Sequence, residues 1–444
     1  MFTFVRFLSI TFQALLQLSR YALGRLFYLL FFFMWPKKER RRRVELMAAK
    51  RFTAFFRNLR ATFVKLGQIL SARPDMFGPH MIRELQTLQD DVPPFPRRHV
   101  ATIIERDLGA PPSDLFDEFS ATPIAAASIA QVHEARLHSG QRVAVKIQRP
   151  GIGRIIARDL AIFGFLARVA HIIPGIRNLR LPGLAKQFAE AIRAQLDFRL
   201  EVQNNRRFAA DFADLDWVQL PAIYDEHCGD RVITMEFVQG RKLTEVLDSP
   251  PIDRAILAER MLDLYYRMAF KNFFLHADLH PGNVFVDSDG RFHLLDTGLV
   301  YAIPQHYVRK FFRVSLAMAV LDGEMVANAY LEGFDIDSER KAAAVADMKR
   351  LEERYKGRSF SDLEMGRVFL DILGVLRRNR IFLDAEWTGL ALSDLTFEGM
   401  AKMLDADIDL MAMSARLLPS YAGDHAFLAA DDPIVSKVAS AAAT

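Results

Sequence analysis

The chain is 444 residues long, 51% hydrophobic and 25% charged, which is enough material for two lobes with appendages around a large core. Its formal net charge of +4 is accompanied by no aromatic-interleaved groove or nucleic-acid motif, so a nucleic-acid partner is excluded. The lone Cys228 excludes an intramolecular disulfide and a thiol-metal site; it reads as a buried small side chain in a reducing compartment.

In residues 5–24, Arg6, Ser9, Gln13, Gln17, Arg20 and Gly24 recur every three or four positions, giving a narrow polar stripe on an otherwise apolar helix. That is the pattern of a helix lying in a membrane interface. Residues 26–35 are apolar on all sides but too short to span a bilayer, and Pro36 stops them. A span over 16–35 would bury Arg25 near its middle, costing about 2.5–3.5 kcal/mol, so in-plane or re-entrant attachment is expected. Lys37, Lys38 and Arg40 to Arg43 follow, a basic cluster suited to anionic lipid on a cytoplasmic leaflet. No small-residue cleavage site accompanies the segment, which argues against a secretory signal.

The amphipathic stretch 52–70 places Lys65 and Gln68 on one helix face, with Gly67 between them permitting close backbone approach. Residues 124–132, IAAASIAQV, precede a β-branched strand, RVAVKIQ at 142–148, in which Lys146 shares a face with Ala144 after a turn at His138-Ser139-Gly140. Helical spacing returns at 157–176, then breaks at Leu181-Pro182-Gly183. A further helical stretch, 184–208, carries Glu201. The alternating run 231–240 ends at Gly240, where Met235, Glu236 and Val238 are candidates to border an adenine ring.

The most informative stretch is 276–298, HADLHPGNVFVDSDGRFHLLDTG. The run Val284 to Val286, a turn ending Asp289-Gly290, and the run Phe292 to Leu295 read as a hairpin whose antiparallel pairing brings Asn283 and Asp296 to one end. Asp278 lies five residues before Asn283, in a segment that Pro281 keeps out of regular helix. Three oxygen-bearing groups therefore converge, and hard cations such as Mg2+ share such ligands with phosphate oxygens. The spacing D-x-x-x-x-N, hairpin, D-x-G matches the catalytic and metal loops of protein kinases, although Ala277 stands where they carry Arg and Thr297 where they carry Phe. Lysine strand, glutamate helix, catalytic loop and metal loop follow in kinase order.

After residue 300 the pattern is helical, as at 367–383, with no apolar run of spanning length. No A-P-E landmark or long activation segment follows Asp296, which weighs against peptide recognition.

Several segments resemble the UbiB family of atypical protein-kinase-like proteins, associated with ubiquinone biosynthesis. They include KLGQ at 65–68, SARPD at 71–75, ELQTLQDDVPP at 84–94, AAASIAQVH at 125–133, VAVKIQRPGI at 143–152 and HADLHPGN at 276–283. The resemblance implies an α+β, bilobal protein-kinase-like fold with a helical N-terminal extension over the active site and a mainly helical second lobe. It implies ATP and Mg2+ as cofactors, with Lys146 and Glu201 as the nucleotide-side ion pair, Asp278 as the catalytic aspartate, and Asn283 and Asp296 on the metal. The alanine-rich nucleotide loop would comprise Ile124, Ala125, Ala126, Ala127, Ser128, Ile129, Ala130, Gln131 and Val132. It departs from a glycine loop because alanine restricts the backbone.

The family pairs the lysine equivalent to Lys65 with the first carboxylate of an E-x-D motif. Here that tripeptide is Gln195-Leu196-Asp197, so the contact loses its charge unless Asp197 or bound phosphate replaces it.

The expected organisation is a membrane-associating segment (1–36), a basic linker and helical extension (37–110), a kinase-like N-lobe (111–238), a helical C-lobe (239–425) and a flexible tail (426–444). The expected activity is Mg-dependent ATP hydrolysis or phosphoryl transfer supporting prenyl-quinone synthesis on the cytoplasmic face of a bacterial inner membrane. Expected partners are anionic membrane lipid and a hydrophobic quinone precursor or quinone-biosynthesis proteins, with a homodimer left open. Two alternatives stand beside it: a small-molecule or lipid kinase of another pathway, and a nucleotide-binding pseudokinase scaffold. A metal hydrolase built on His276 and His280 is weaker, because the pair sits in a proline-containing loop.

Overall fold

A computed structural model describes residues 2–59, 61–71, 79–85, 87–88, 93–172, 181–356, 365–381, 383 and 385–422. The motif at 71–75, part of that at 84–94 and the tail at 426–444 fall at or outside those limits. The chain divides into two units, residues 1–205 with 221–237, and residues 206–220 with 238–444.

The first unit opens with α1 (Phe2–Leu30), α2 (Lys37–Leu59), α3 (Ala61–Ser71) and α4 (Pro79–Leu85), then α5 (Arg97–Leu108) and α6 (Pro112–Leu115). The sheet β1 (Glu118–Ala126), β2 (Ala130–Arg136), β3 (Arg142–Gln148) and β5 (Val232–Glu236) is antiparallel in the order β1-β2-β3-β5. Strict alternation along β3 gives it two different faces. Val143, Val145 and Ile147 turn toward Val100, Ile103 and Ile104 of α5. Lys146 turns the other way, toward the face where Ile233 meets Phe198 and Val202.

The stretch expected as one helix over 184–208 is two: α8 (Leu181–Ala194) and α9 (Phe198–Asp211). The break has a local cause, since the Asp197 carboxylate accepts the backbone N–H groups of Arg199 and Leu200, both at 3.1 Å, and so caps α9. Leu181-Pro182-Gly183 opens α8 rather than breaking a helix, as proline tolerates a first turn. The helix expected over 157–176 runs as α7 (Ile152–His171). Its Ile152, Ile156 and Leu160 share a core with Phe56, Phe63 and Leu66 of α2 and α3, so this helix packs on the N-terminal extension. Gly67 is buried there, and a Cβ on it would lie 2.2 Å from Leu88 Cδ1.

Four members of the polar stripe of α1, Arg6, Gln13, Gln17 and Gly24, face the protein, whereas Ser9 and Arg20 are exposed. Arg6 donates to both oxygens of the fully buried Asp159 carboxylate, at 2.7 and 2.8 Å, and to the Leu59 carbonyl at 2.9 Å. Gln13 accepts from Asn58, Gln17 is buried, and Gly24 lies so close to Met47 that a Cβ would sit 2.2 Å from its sulfur. The outward surface is mostly apolar: Phe4, Leu8, Phe12, Leu15, Leu23 and Leu26 are all exposed, interrupted by Ser9, Ser19, Arg20 and Arg25. No helix among the described residues is long and apolar enough to cross a membrane. In the basic cluster that opens α2, Arg42 and Arg43 pair with Glu39 and Arg41 with Glu45, all on the surface.

The second unit holds the sheet β4 (Val218–Gln219), β9 (Phe292–Leu294), β8 (Val284–Val286) and β6 (Arg241–Lys242), and the pair β7 (Phe274–His276) with β10 (Val300–Ala302). The rest is helical: α10 (Leu243–Val246), α11 (Arg254–Tyr266), α12 (Gln305–Ala319), α13 (Gly323–Leu331), α14 (Ser338–Tyr355), α15 (Met365–Arg378), α16 (Ala385–Leu404) and α17 (Leu410–Ala422). Their core is aromatic, with Tyr265, Phe270, Phe311, Phe312, Trp387 and Phe397 buried together. Cys228, expected to be buried, is half-buried in the first unit, and its sulfur bonds the backbone of Thr234.

Candidate functional site

In the first unit, the Lys146 ammonium donates to Glu201 Oε1 at 2.6 Å. Their side chains are 14% and 7% exposed, so the pair sits largely out of water. The sequence builds it in two steps. Alternation along β3 points Lys146 at α9, and the Asp197 cap fixes where α9 begins, so that Glu201 falls in its first turn beside the sheet. The Phe198 ring lies 5.6 Å from the ammonium and adds a cation–π contact.

Register places the expected nucleotide residues. Val132 lies opposite Lys146 and Ala125 opposite Val132, while Met235 lies opposite Ala144, so Ala125, Val132, Ala144, Lys146 and Met235 share one face. The alanine run is thus a β-hairpin, closed by the Ala127 N–H on the Ala130 carbonyl at 2.8 Å. Ile124 is exposed at its edge, Ala126 and Ile129 are half-buried, and Ser128 and Ala130 are buried.

Gln131 is a correction to the expected loop. Its side chain is buried, accepts the Phe95 N–H at 2.9 Å and meets His133 at 2.8 Å, so it serves the core instead of a ligand. Glu236, expected near an adenine, is exposed and accepts the Ala222 N–H at 3.2 Å. Lys65 and Gln68 both fall in α3, with Lys65 half-buried. Gln195 lies in the turn between α8 and α9, its Oε1 buried with no hydrogen-bond partner among the described residues. Asp197 is committed to its cap.

In the second unit, β8 and β9 pair as Val284 with Leu294 and Val286 with Phe292, and the Leu295 N–H reaches the Asn283 carbonyl at 2.9 Å. Asn283 and Asp296 therefore sit at one end of the hairpin, as its pattern required. Asn283 Nδ2 donates to the Asp278 carbonyl at 3.1 Å, which ties the two loops and leaves Oδ1 as an acceptor. Asp296 has a φ of 57°, a left-handed conformation uncommon for a residue with a Cβ. Its side chain is exposed, and Asp278 is half-buried. Val238 is half-buried in this unit, ahead of Gly240, whose place against the Val286 carbonyl leaves a Cβ only 3.0 Å.

The two units thus each hold one part of a kinase's polar equipment, and comparison with known proteins decides the family. The ABC1 atypical kinase-like domain matches residues 87–330, more than half of the chain. The chain belongs to that family. Among ABC1-family relatives, the "Probable protein kinase UbiB" of Marinobacter nauticus is 31% identical over 368 residues, covering 81% of this chain and 67% of that protein. The same-named protein of Aeromonas salmonicida is 30% identical over 396 residues, covering 87% and 72%. A solved complex of Rv3197 with erythromycin from Mycobacterium tuberculosis aligns at a TM-score of 0.50 with 23% identity, covering 77% of this chain and 91% of that one. That likeness supports the α+β, kinase-like fold.

Two positioning residues of this ABC1-type domain escaped the sequence reading. His276 is buried, and its Nδ1 accepts the Asp278 N–H at 3.3 Å, so Nε2 carries the proton and donates to the Leu295 carbonyl at 3.2 Å. Burial lowers its pKa and keeps the ring neutral. With both nitrogens engaged it is no metal ligand, which removes the basis for a His276–His280 hydrolase. The legible signal was a histidine two residues before the catalytic-loop aspartate. Arg149 donates to the Ala127 and Pro93 carbonyls at 2.7 and 2.8 Å and clamps the hairpin tip. Nothing in its spacing announced that.

Proposed function

We propose that the chain is a membrane-associated, magnesium-dependent kinase-like ATPase or phosphotransferase that supports synthesis of ubiquinone or a related prenyl-quinone. The observation that carries the chemistry is the desolvated 2.6 Å ion pair of Lys146 and Glu201. A buried charge pair of this kind is costly to maintain, and the kinase fold gives it a use. Lys146 orients nucleotide phosphates, and Glu201 holds Lys146 in place. Asp278 positions or deprotonates the attacking hydroxyl or water, on a backbone fixed by His276 and Asn283.

The donor set of one amide oxygen, from Asn283, and one carboxylate, from Asp296, fits magnesium, which takes few protein oxygens and completes its shell with phosphate and water. Bound magnesium would neutralise charge on the phosphate oxygens. Between Asp296 and α12 the chain has only residues 297–304, part of them in β10, which favours a small acceptor or water over a peptide.

The pathway rests on the name carried by the bacterial relatives. Attachment to the cytoplasmic face of the inner membrane is supported by the outward apolar face of α1, followed by the exposed basic start of α2 and by Trp35 against Arg43. The test follows radiolabelled γ-phosphate in purified protein with anionic liposomes and quinone-head-group phenols, comparing wild type with Asp296→Asn. Label on a phenol or lipid identifies a transferase, and free phosphate alone an ATPase. Neither product, or turnover unchanged in Asp296→Asn, overturns the reading in favour of a scaffold.

A further inference from the structure

On the first unit, away from Lys146, a cavity of about 460 Å³ lies between α5, the Pro150-Gly151 turn that opens α7, and the Asp230-Arg231 segment entering β5. Its volume falls within the range of small-ligand sites. Three exposed arginines line it from three elements: Arg106 of α5, Arg154 of α7 and Arg231. No carboxylate among the described residues pairs with any of them.

The two carboxylates that border the cavity are committed elsewhere. Asp107 accepts the backbone N–H groups of Asp230 and Arg231 at 3.2 and 2.7 Å, and Asp230 is ion-paired with Arg199. The three arginines outnumber those two carboxylates, both of which already have partners, so the arrangement gains from an anion able to take several charge-assisted bonds at once. The opening turn of the twenty-residue helix α7 adds its positive end on the same side.

We infer that this cavity is a second ligand site, separate from the kinase residues, for a phosphate-bearing molecule: a free phosphate compound or the headgroup of an anionic lipid. Phosphate chemistry is favoured over a simple carboxylate because the three arginines come from three different elements around the cavity, and a phosphate offers acceptors around a tetrahedron. The site also has a line to the kinase residues. Arg149, next to Pro150, clamps the Ala127–Ile129 hairpin tip through its side chain and through its N–H on the Ile129 carbonyl at 2.8 Å. A ligand that fixes the Pro150-Gly151 turn therefore stiffens the nucleotide-loop hairpin.

The test uses the full chain in EDTA, with inorganic pyrophosphate as probe in calorimetry. Arg154→Gln and Arg231→Gln, both at exposed positions, are expected to weaken pyrophosphate binding about tenfold or more each. Their thermal stability without probe should match wild type. Lys146→Met should leave the pyrophosphate affinity unchanged. A second arm measures co-sedimentation with phosphatidylcholine vesicles with and without phosphatidylglycerol. Loss of the phosphatidylglycerol-dependent fraction in the arginine variants supports a lipid headgroup as the source, while loss of pyrophosphate binding alone supports a free phosphate compound. Pyrophosphate affinity unchanged in both arginine variants, affinity abolished by Lys146→Met, or no binding of either probe overturns the inference. None of these readouts depends on turnover, so the site stands or falls apart from the proposed activity.

Discussion

Replacing Glu201 with glutamine keeps the shape of the side chain and removes its charge, leaving the Lys146 ammonium in a site where it is 14% exposed. At 2.6 Å and an effective dielectric of about 20, the lost attraction is about 6 kcal/mol before compensation. The glutamine carbonyl still accepts a hydrogen bond, worth about 1 kcal/mol net. Residual water and the Phe198 ring absorb more, and broken buried pairs cost about 3–5 kcal/mol in practice, so Glu201→Gln should destabilise the protein by about 2–4 kcal/mol. Lys146→Met leaves the carboxylate unpaired instead and should cost a similar amount.

The double variant buries no unpaired charge, and it should be more stable than either single change. Urea unfolding of wild type, both singles and the double closes the cycle, provided that one transition can be fitted for the first unit. A coupling energy of about 2 kcal/mol or more is expected. Strict additivity within about 0.5 kcal/mol would mean that the two charges do not depend on each other, and the structural account of the pair would be wrong.

Asp197→Ala removes the cap of α9 and should cost about 1 kcal/mol, whereas Asp197→Asn should retain most of it; equal losses in thermal unfolding would show that the carboxyl charge, not the cap, matters. Burial raises the Asp394 pKa to about 7 and raises Glu398, its neighbour one turn along α16, as well. A carboxyl raised in the fold destabilises more as pH climbs from its unfolded value near 4 to its folded one near 7, so Asp394→Asn should gain on wild type between about pH 4 and pH 7; parallel stability curves over that window would refute it. Leu15→Gln with Leu26→Gln, both on the outward face of α1, should release the protein from anionic vesicles without changing its melting temperature. Retention on the vesicles in that variant would relocate the membrane contact.

Much of the candidate site's geometry was legible because its cause is local. The period-two alternation around Lys146, the turn residues before Phe292 and the spacing from Asp278 to Asn283 act over a few residues, and each maps onto the strand, hairpin and loop observed. The split of 184–208 was missed because an aspartate inside a helical pattern is ambiguous: it can face solvent or leave the helix to cap the next one. Asp197 caps, and so the element that carries Glu201 starts there. The buried carboxyls of Asp394 and Glu398 were invisible for the opposite reason. An i, i+4 acidic pair on a helix reads as a solvated face, and only the tertiary packing of α16 against Tyr265 and Tyr266 takes it out of water.

The N-terminal helix teaches the same lesson in its strongest form. Of its expected stripe of Arg6, Ser9, Gln13, Gln17, Arg20 and Gly24, Ser9 and Arg20 are exposed and the other four turn toward the protein; an amphipathic pattern fixes only that two faces differ, and sequence alone does not say which of them meets the rest of the protein. The partner is Asp159, 153 positions away from Arg6, whose carboxylate is fully buried and needs the Arg6 guanidinium. Once that pair forms, Arg6, Gln13, Gln17 and Gly24 turn inward and the leucine and phenylalanine face turns outward. An outward apolar face of about eight helical turns is unfavourable in water, by about 25 cal/mol for each Å² left exposed, and favourable against hydrocarbon. The buried ion pair thereby sets the side on which α1 can meet a membrane, and a charge reversal at Asp159 should lower co-sedimentation with anionic vesicles even though Asp159 itself never reaches the surface.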